Sequence, residues 1–245
     1  MLPVALFYLF LGSVKADECA PWSMVQEANY AYFLNNQWGS GAAKPGFYQC
    51  LSGYTVSYSW WSSSGQDDGV KAYPAIITGW HWGYVNGQGN ANLPVLVGSN
   101  PTITVDWSVT HVSQGNWETY NTAFDIWLGA NGETNPSQPT VEVMIWMNHL
   151  HQYPLGSYVE TINMIGSQFD VYAYWGGSPA WKVFSFIQKQ NTWSFNNVNI
   201  FGFFQYLWQT KQWINGQQYI VGIEAGNEIL QGQGTFTHNY HLTVS

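Results

Sequence analysis

The chain has 245 residues, with 14 acidic and six basic side chains, a net charge of −8 and 15 tryptophans. All six basic residues are lysines, and this charge balance argues against binding to nucleic-acid phosphates or anionic membranes. Aromatic residues make up 18% of the chain. This is more than a core needs, because Trp is rarely fully buried and its N–H requires a partner. The surplus indicates stacking on sugar rings or, alternatively, a protein-binding surface.

The N-terminal residues 1–16 form an apolar run that ends in small residues around Lys15. The run is too short to anchor the chain in a bilayer, so we interpret it as a secretory signal peptide removed after Ala16. No later run is long enough to span a membrane, and we expect a secreted, extracellular protein with one domain over residues 17–245. In an exported chain the pair Cys19 and Cys50 favours one disulfide, with two buried thiols as the alternative.

The chain then consists of short alternating apolar runs separated by Gly, Asn, Ser and Pro. These runs predict strands at residues 54–61, 102–109, 122–128, 141–147, 169–175, 183–187 and 219–225. Many short strands at this spacing are typical of an all-β sandwich or barrel. Residues 198–208 instead repeat apolar residues at helical spacing, which predicts one helix on the outside of a sheet, capped by Asn196 or Asn197.

The predicted strand 122–128 places an acid and a tryptophan on the same face. Phe124, Ile126 and Leu128 form its core face. Asp125 and Trp127 therefore point the other way. If this strand lies beside the one that carries Glu142, Asp125 is positioned to orient a catalytic carboxylate and tune its pKa.

The predicted strand 141–147 also has two different faces. Its β-branched core face consists of Val141, Val143 and Ile145. Its other face carries Glu142, Met144 and Trp146. A carboxylate, a thioether and an indole on one face predict the floor of a groove for a flat, polar ligand, although a solvated Glu beside two loosely buried side chains has the same pattern.

The last predicted strand carries two further acids. We assign its core face to Tyr219, Val221, Ile223 and Ala225. Glu224, Gly226 and Glu228 then share the opposite face, and Gly226 leaves room for a substrate to approach the backbone. Hydrolysis of a neutral sugar needs two carboxyl groups, one to protonate the leaving oxygen and one to attack the anomeric carbon. Spacing alone does not decide whether Glu224 or Glu228 is the partner of Glu142.

The remaining acids and the histidines are interpreted as structural. Eight acids, including Glu118, lie in polar stretches typical of solubility and turn residues, and Asp106 and Asp170 are read as surface strand residues. The close pairs His149/His151 and His238/His241 lack a third ligand at zinc spacing and are expected on the surface or in loops. We expect no metal and no cofactor.

Several of these stretches resemble glycoside hydrolase family 12, the microbial endoglucanases and xyloglucanases. Residues 142–146, Glu-Val-Met-Ile-Trp, resemble the family's E-[IL]-M-I-W strand, and residues 224–228, Glu-Ala-Gly-Asn-Glu, resemble its Q-x-G-x-E-P strand. Further similar stretches are 35–39, 70–73, 92–95, 123–127 and 193–195. The similarity extends over nearly all of residues 17–245.

The resemblance implies a two-sheet antiparallel β-jelly roll with an open concave cleft, and hydrolysis of β-1,4-glucan chains with retention of configuration. It assigns Glu142 as the nucleophile and Glu228 as the acid/base, with Asp125 next to the nucleophile. Its implied substrate-binding residues are Trp22, Asn36, Trp38, Met144 and Trp146.

The chain departs from the family pattern at two positions. Glu224 stands where the family usually has Gln, and Ile229 replaces the Pro that follows the acid/base. A third carboxylate on this face is expected to raise the proton affinity of the other carboxyl groups.

Two classes of function fit these features. The first is a secreted, monomeric, retaining endo-β-1,4-glucanase whose partner is a β-glucan polysaccharide: cellulose, mixed-linkage glucan or xyloglucan. The second is a catalytically inactive carbohydrate-binding jelly roll. The presence of both Glu142 and Glu228 favours the enzyme, because sugar binding alone does not need these two carboxyl groups. The preferred glucan depends on loops such as 129–139 and 149–157.

Overall fold

The computed structural model describes residues 17–28, 31–61, 69–85, 91–115 and 117–245, and within them the chain forms two packed β-sheets. The predicted signal peptide lies outside the described residues. The larger sheet contains, in spatial order, β1 (Met24–Ala28), β2 (Ala31–Leu34), β5 (Ala75–His81), β15 (Tyr219–Gly226), β9 (Thr119–Gly129), β10 (Val141–Leu150), β13 (Lys182–Gln188), β12 (Ser167–Tyr174) and β11 (Ser157–Met164). Its neighbours along this path are antiparallel except for the parallel pair β10 and β13. The short strands β6 (Tyr84–Val85) and β7 (Val95–Leu96) pair with β5 and β15.

The second sheet is joined to the first by the longest strand. It contains β3 (Tyr48–Ser52), β4 (Thr55–Trp60), β16 (Ile229–Val244), β8 (Ile103–Ser113) and β14 (Ser194–Asn199). Strand β16 begins beside β9 in the larger sheet and continues between β4 and β8 in the second. Short 3₁₀ turns lie at Ser40–Ala42 and Val97–Ser99. The predicted two-sheet β-jelly roll is confirmed, with the parallel pair β10 and β13 as the departure from the predicted antiparallel pairing.

The core between the sheets follows the predicted alternation. The side chains assigned to the core on β9 and β10 are buried in one cluster, namely Phe124, Ile126, Leu128, Val141, Val143 and Ile145. The opposite face of the larger sheet, turned away from the second sheet, is called the outer face below. It carries Asp125, Glu142, Met144 and Trp146, as alternation requires.

Strand β15 corrects the predicted alternation. Its pairing with β9 shifts between Ile220 and Gly222, so Ile220 enters the core while Val221 packs with Trp80 and Trp127 on the outer face. An irregular register moves side chains on one side of it to the other face of the sheet. The predicted core positions of Tyr219 and Val221 are therefore wrong.

Gly226 also has a different role from the one predicted. A Cβ at this position would lie 2.5 Å from the carbonyl oxygen of Pro74. The glycine is needed because another segment of the same chain approaches closely, so the prediction that it leaves room for a substrate is not supported.

The predicted helix begins later than the sequence indicated. Asn196 and Asn197 belong to strand β14, and the helix α1 spans Phe201–Gln205 and continues as a π-helical segment, Tyr206–Thr210. The N-cap position is instead Ile200, and the Oδ1 atom of the preceding Asn199 accepts from the backbone N–H of Phe201 at 3.0 Å. Tertiary pairing of β14 with β8 overrides the local helical pattern at its start. The buried side chains of α1 complete the core against β12 and β13.

The predicted disulfide between Cys19 and Cys50 is present and ties the N-terminal segment to β3. In the described part of the chain, no helix has the length and apolarity required to cross a bilayer.

Two polar residues expected on the surface are buried. His238 is 3% exposed, and its Nδ1 accepts from Trp107 Nε1 at 3.2 Å. Glu118 is 5% exposed and accepts from the Tyr58 hydroxyl at 2.8 Å. Both expectations were wrong because a polar local sequence does not reveal a partner supplied by a distant strand.

Candidate active site

Cross-strand pairing brings three carboxyl groups together on the outer face. Asp125 on β9 pairs with Met144 of β10 on one side and with Glu224 of β15 on the other. Glu142 lies on β10 two residues before Met144, on the same face, and pairs with Trp127 of β9. Directly paired side chains in an antiparallel sheet have Cβ atoms about 4.5–5.5 Å apart, and diagonal neighbours remain within reach of long side chains.

Glu142 is held by an indole from a loop. Trp181 Nε1 donates to Glu142 Oε2 at 2.7 Å. Burial raises the pKa of Glu142; the Trp181 hydrogen bond opposes this shift, and the charges of Glu228 and Glu224 add to it. The carboxyl thus titrates together with its neighbours, and losing its proton is harder than for an ordinary glutamate.

Asp125 lies beside Glu142 and is almost fully enclosed. Its side chain is 5% exposed, and Oδ1 has no hydrogen-bond partner among the described residues. Burial raises the pKa of Asp125 well above its usual range, and the charges of Glu142, Glu228 and Glu224 raise it further. Its environment therefore favours the protonated carboxyl, which can act as a hydrogen-bond donor beside Glu142.

Glu228 lies between the end of β15 and the start of β16. Its Oε2 accepts hydrogen bonds from Asn121 Nδ2 and from Gln152 Nε2, the latter at 2.7 Å. Its backbone is also fixed, because its N–H donates to Asn121 Oδ1 at 3.1 Å. Burial raises the pKa of Glu228, while the hydrogen bonds from Gln152 and Asn121 act in the opposite direction. Part of the residue remains exposed.

Glu224, by contrast, is fully enclosed. Its Oε1 accepts from His81 Nδ1 at 2.7 Å and from Trp127 Nε1 at 2.5 Å. The residue has 0% exposure, and Oε2 is buried without a partner in the described part of the chain. The charge of Glu224 raises the pKa of both Asp125 and Glu142, as expected for a third acid on this face.

An aromatic cluster borders the nucleophile candidate. The ring of Trp82 lies 5.0 Å from that of Trp181 and 5.7 Å from that of Trp127, and Trp80 lies 5.3 Å from Trp82. Trp181 is the member that bonds Glu142, so the packing of the cluster determines where that indole N–H points.

The predicted substrate-binding tryptophans before β1 and after β2 are exposed. Trp38 is 59% exposed and Trp22 is 38% exposed. Asn36 is buried, and its Oδ1 accepts from the backbone N–H of Trp38 at 3.1 Å. The observed contact of Asn36 is thus with the backbone at Trp38. Sugar binding by the three residues stays a prediction.

Met144 and Trp146 line the outer face beside the acids. They pack with Ala123, Val183 and Ile187, and they are 5% and 1% exposed. The Trp146 ring lies 5.8 Å from that of His149. The two side chains form the apolar base next to Glu142, and their contact with a substrate stays a prediction.

Sequence reasoning missed four residues that contact the candidate acids: His81, Asn121, Gln152 and Trp181. The sequence could have indicated Asn121, because it lies two residues before Ala123 and four before Asp125 and therefore on the same strand face. His81, Gln152 and Trp181 come from other segments, and only tertiary contacts bring them to the acids. Within the described ranges, no group of three potential metal ligands is present.

Comparison with known proteins gives a consistent result. The model of glycosyl hydrolase family 12 matches residues 30–245. Endoglucanase S of Pectobacterium parmentieri is 38% identical over an alignment 250 positions long, which covers 96% of this chain and 90% of that protein. A probable xyloglucan-specific endo-beta-1,4-glucanase A of Aspergillus terreus is 30% identical, covering 94% of this chain and 88% of that protein.

The fold agrees with the sequence match. The solved structure of a family 12 xyloglucanase from Bacillus licheniformis, in complex with ligand, is 35% identical and covers 94% of this chain and 100% of its own, with a TM-score of 0.82. The chain therefore belongs to glycosyl hydrolase family 12 and is a glycoside hydrolase.

Proposed function

We propose that the protein is a secreted, retaining endo-β-1,4-glucanase that cleaves internal bonds of β-glucan chains. The observation that carries the proposal is a pair of partly exposed carboxyl groups on the outer face, Glu142 and Glu228, each held by side-chain N–H donors. The charge of Glu228 raises the pKa of Glu142, which supports their acting as one coupled pair.

In this mechanism Glu142 attacks the anomeric carbon as the glycosidic bond breaks, and Glu228 gives its proton to the leaving oxygen. A water molecule then attacks the anomeric carbon of the glycosyl enzyme and gives a proton to Glu228, the bond to Glu142 breaks, and the sugar is released. Retaining enzymes place the two carboxyl groups about 5–5.5 Å apart. Asp125 supports the nucleophile, since a protonated neighbour adds no second negative charge beside Glu142.

The choice of Glu228 over Glu224 rests on access. Both oxygens of Glu224 are buried, and one of them is engaged by His81 and Trp127. Glu228 retains exposed surface, so a glycosidic oxygen can reach it. The family resemblance assigns the acid/base to the same residue.

The roles are tested with an activated aryl β-glycoside and with azide as an external nucleophile. Glu142→Gln is expected to abolish turnover while sugar binding survives. Glu228→Ala is expected to lose activity on polymer and to be rescued by azide, yielding a β-glycosyl azide. Glu224→Ala is the matched comparison. If azide rescues Glu224→Ala instead, the two assignments must be exchanged, and near-full activity of Glu142→Gln removes the nucleophile assignment.

Family membership supports hydrolysis over the alternative of an inactive carbohydrate-binding module. For the substrate, the names of the relatives point to glucans: one is an endoglucanase, one is a probable xyloglucan-specific endo-beta-1,4-glucanase and one is a xyloglucanase. We propose cellulose, mixed-linkage glucan and xyloglucan as the candidate range. Release of reducing ends from each polymer by the purified chain from Asp17 onward ranks them.

Secretion and a monomeric state are part of the proposal. The N-terminal run 1–16 supports export, and N-terminal sequencing of the exported protein should begin at Asp17. Light scattering of the purified protein should give the mass of one chain. A sequence that starts upstream of Asp17 contradicts removal of the signal peptide after Ala16. The mass of a dimer contradicts the monomeric state.

A further inference from the structure

The oxygen atoms of Glu228 have different surroundings. Oε2 accepts two N–H groups, from Asn121 Nδ2 and from Gln152 Nε2. The orientation of the Asn121 amide is fixed, because its Oδ1 accepts the backbone N–H of Glu228. An oxygen that faces two N–H donors has little room for a proton of its own. A protonated Glu228 therefore carries its proton on Oε1.

Gln152 is a well-enclosed donor. Its side chain is 6% exposed, and its Oε1 is buried without a partner among the described residues. If the amide were turned around, Oε1 would face the ionised carboxylate, which is also an acceptor. The amide orientation with Nε2 toward Glu228 thus keeps the favourable contact.

The residue before Gln152 fixes its place. His151 has a left-handed backbone, with φ of 57°, and its ring stacks on that of Trp117 at 4.7 Å and 15°. Its Nδ1 lies 3.0 Å from the carbonyl oxygen of Glu118 and donates to it. Glu118 is itself held by Tyr58.

Glu118 is also closely packed against β16. A Cβ at Gly232 would lie 2.7 Å from Glu118 Cγ, so this glycine is needed for the approach. The segment of Gln152 is therefore held by contacts with Glu118, just before β9, which in turn packs on β16. Strand β16 begins immediately after Glu228.

We propose that Gln152 is a positioning residue for hydrolysis, which together with Asn121 holds Oε2 of Glu228 so that Oε1 carries the proton delivered to the leaving oxygen. The inference rests on the proposed acid/base role of Glu228. In the first step the proton leaves Oε1 for the glycosidic oxygen as the bond from Glu142 to the anomeric carbon forms. In the second step Oε1 takes a proton from the attacking water, which restores the acid.

The hydrogen bond from Gln152 also affects the pH profile of the enzyme. N–H donors stabilise the ionised carboxylate, so loss of the Gln152 donor raises the pKa of Glu228. The alkaline limb of kcat/KM, which reports the acid, then moves to higher pH. The titratable groups that interact electrostatically with Glu228 are Glu142 on β10, Asp125 on β9 and Tyr73 before β5. All of them remain in the variant.

The test compares Gln152→Met, which keeps the length of the side chain but removes the donor, with the full-length mature wild-type enzyme. Gln188→Met is the matched control, because Gln188 is also a buried amide, 7% exposed, but donates to Ser167 Oγ at 3.3 Å. We expect an alkaline limb higher by about one pH unit for Gln152→Met. On polymer, kcat should fall by roughly tenfold, with a smaller loss on an activated aryl glycoside, whose leaving group needs little protonation. Gln188→Met should match the wild type in both.

Gln152→Ala provides a second variant. The role of Gln152 is judged from whichever of the two variants, Gln152→Met or Gln152→Ala, shows the thermal unfolding transition of the wild type. An unchanged alkaline limb, with equal losses on polymer and aryl substrate, overturns the role of Gln152. Glu228→Ala is measured in parallel. If it stays active on polymer, the proposed acid/base assignment has failed. If it is inactive and rescued by azide while the Gln152 variants behave like wild type, only the positioning role has failed.

Discussion

Replacing Trp181 with Phe tests how Glu142 is kept ready for attack. The change removes the indole N–H that donates to Glu142 Oε2 at 2.7 Å and retains an aromatic ring against Trp82 and Trp127. This hydrogen bond lowers the pKa of Glu142 against the opposing effect of burial. Without it, the pKa of Glu142 should rise further. A smaller fraction of the enzyme then has the ionised nucleophile at any pH below that pKa.

The magnitude follows from the type of contact. A hydrogen bond to a charged group contributes about 1.5–3 kcal/mol, and one pKa unit corresponds to about 1.4 kcal/mol. Glu142 and Trp181 are both partly exposed, so solvent weakens the contact and the lower end applies. The acid limb of kcat/KM should therefore move up by about one pH unit, with roughly tenfold lower activity well below the limb.

The assay is the pH dependence of kcat/KM on a soluble β-glucan, measured for Trp181→Phe and for Trp61→Phe as a matched control. The Trp61 indole donates to Ser59 Oγ at 3.1 Å, so the control makes the same substitution at an indole bonded to a neutral hydroxyl. Activity of Trp181→Phe should recover toward the wild-type value above the limb. An acid limb at the wild-type pH refutes the reasoning, as does a uniform loss at all pH values.

Three further changes have expected outcomes. Glu224→Gln should remain active and move the acid limb to slightly lower pH, because the charge of Glu224 raises the pKa of Glu142; a limb at higher pH contradicts this. Trp38→Ala, in the Glu142→Gln background, should weaken oligosaccharide binding by about 1–3 kcal/mol in calorimetric titration, and unchanged affinity would make Trp38 only structural. Burial lowers the pKa of His238 to about 3, so the folded state resists its protonation and stability falls as the pH drops from 6.5 toward 3. His238→Phe should flatten this fall in chemical denaturation series, and an unchanged slope would exclude His238 as its source.

Periodicity in the sequence was sufficient for the strands that build the floor of the site. Asp125, Glu142, Met144 and Trp146 alternate with buried apolar residues, and the side chains of a strand must point to opposite faces. The same rule placed Glu224 opposite the core. It failed at Val221, because a register shift set by the neighbouring strand changes the face without any mark in the local sequence.

Only the tertiary structure decided how the acids differ from one another. Hydrogen bonds from Trp181, from Gln152 and from His81 reach Glu142, Glu228 and Glu224 respectively, across 39, 76 and 143 residues of chain. The pKa of a carboxyl depends on burial and on such neighbours, not on the residues beside it in sequence. The sequence by itself thus determined which carboxyl groups share one face, and long-range packing determined which oxygen of each is held and which remains open.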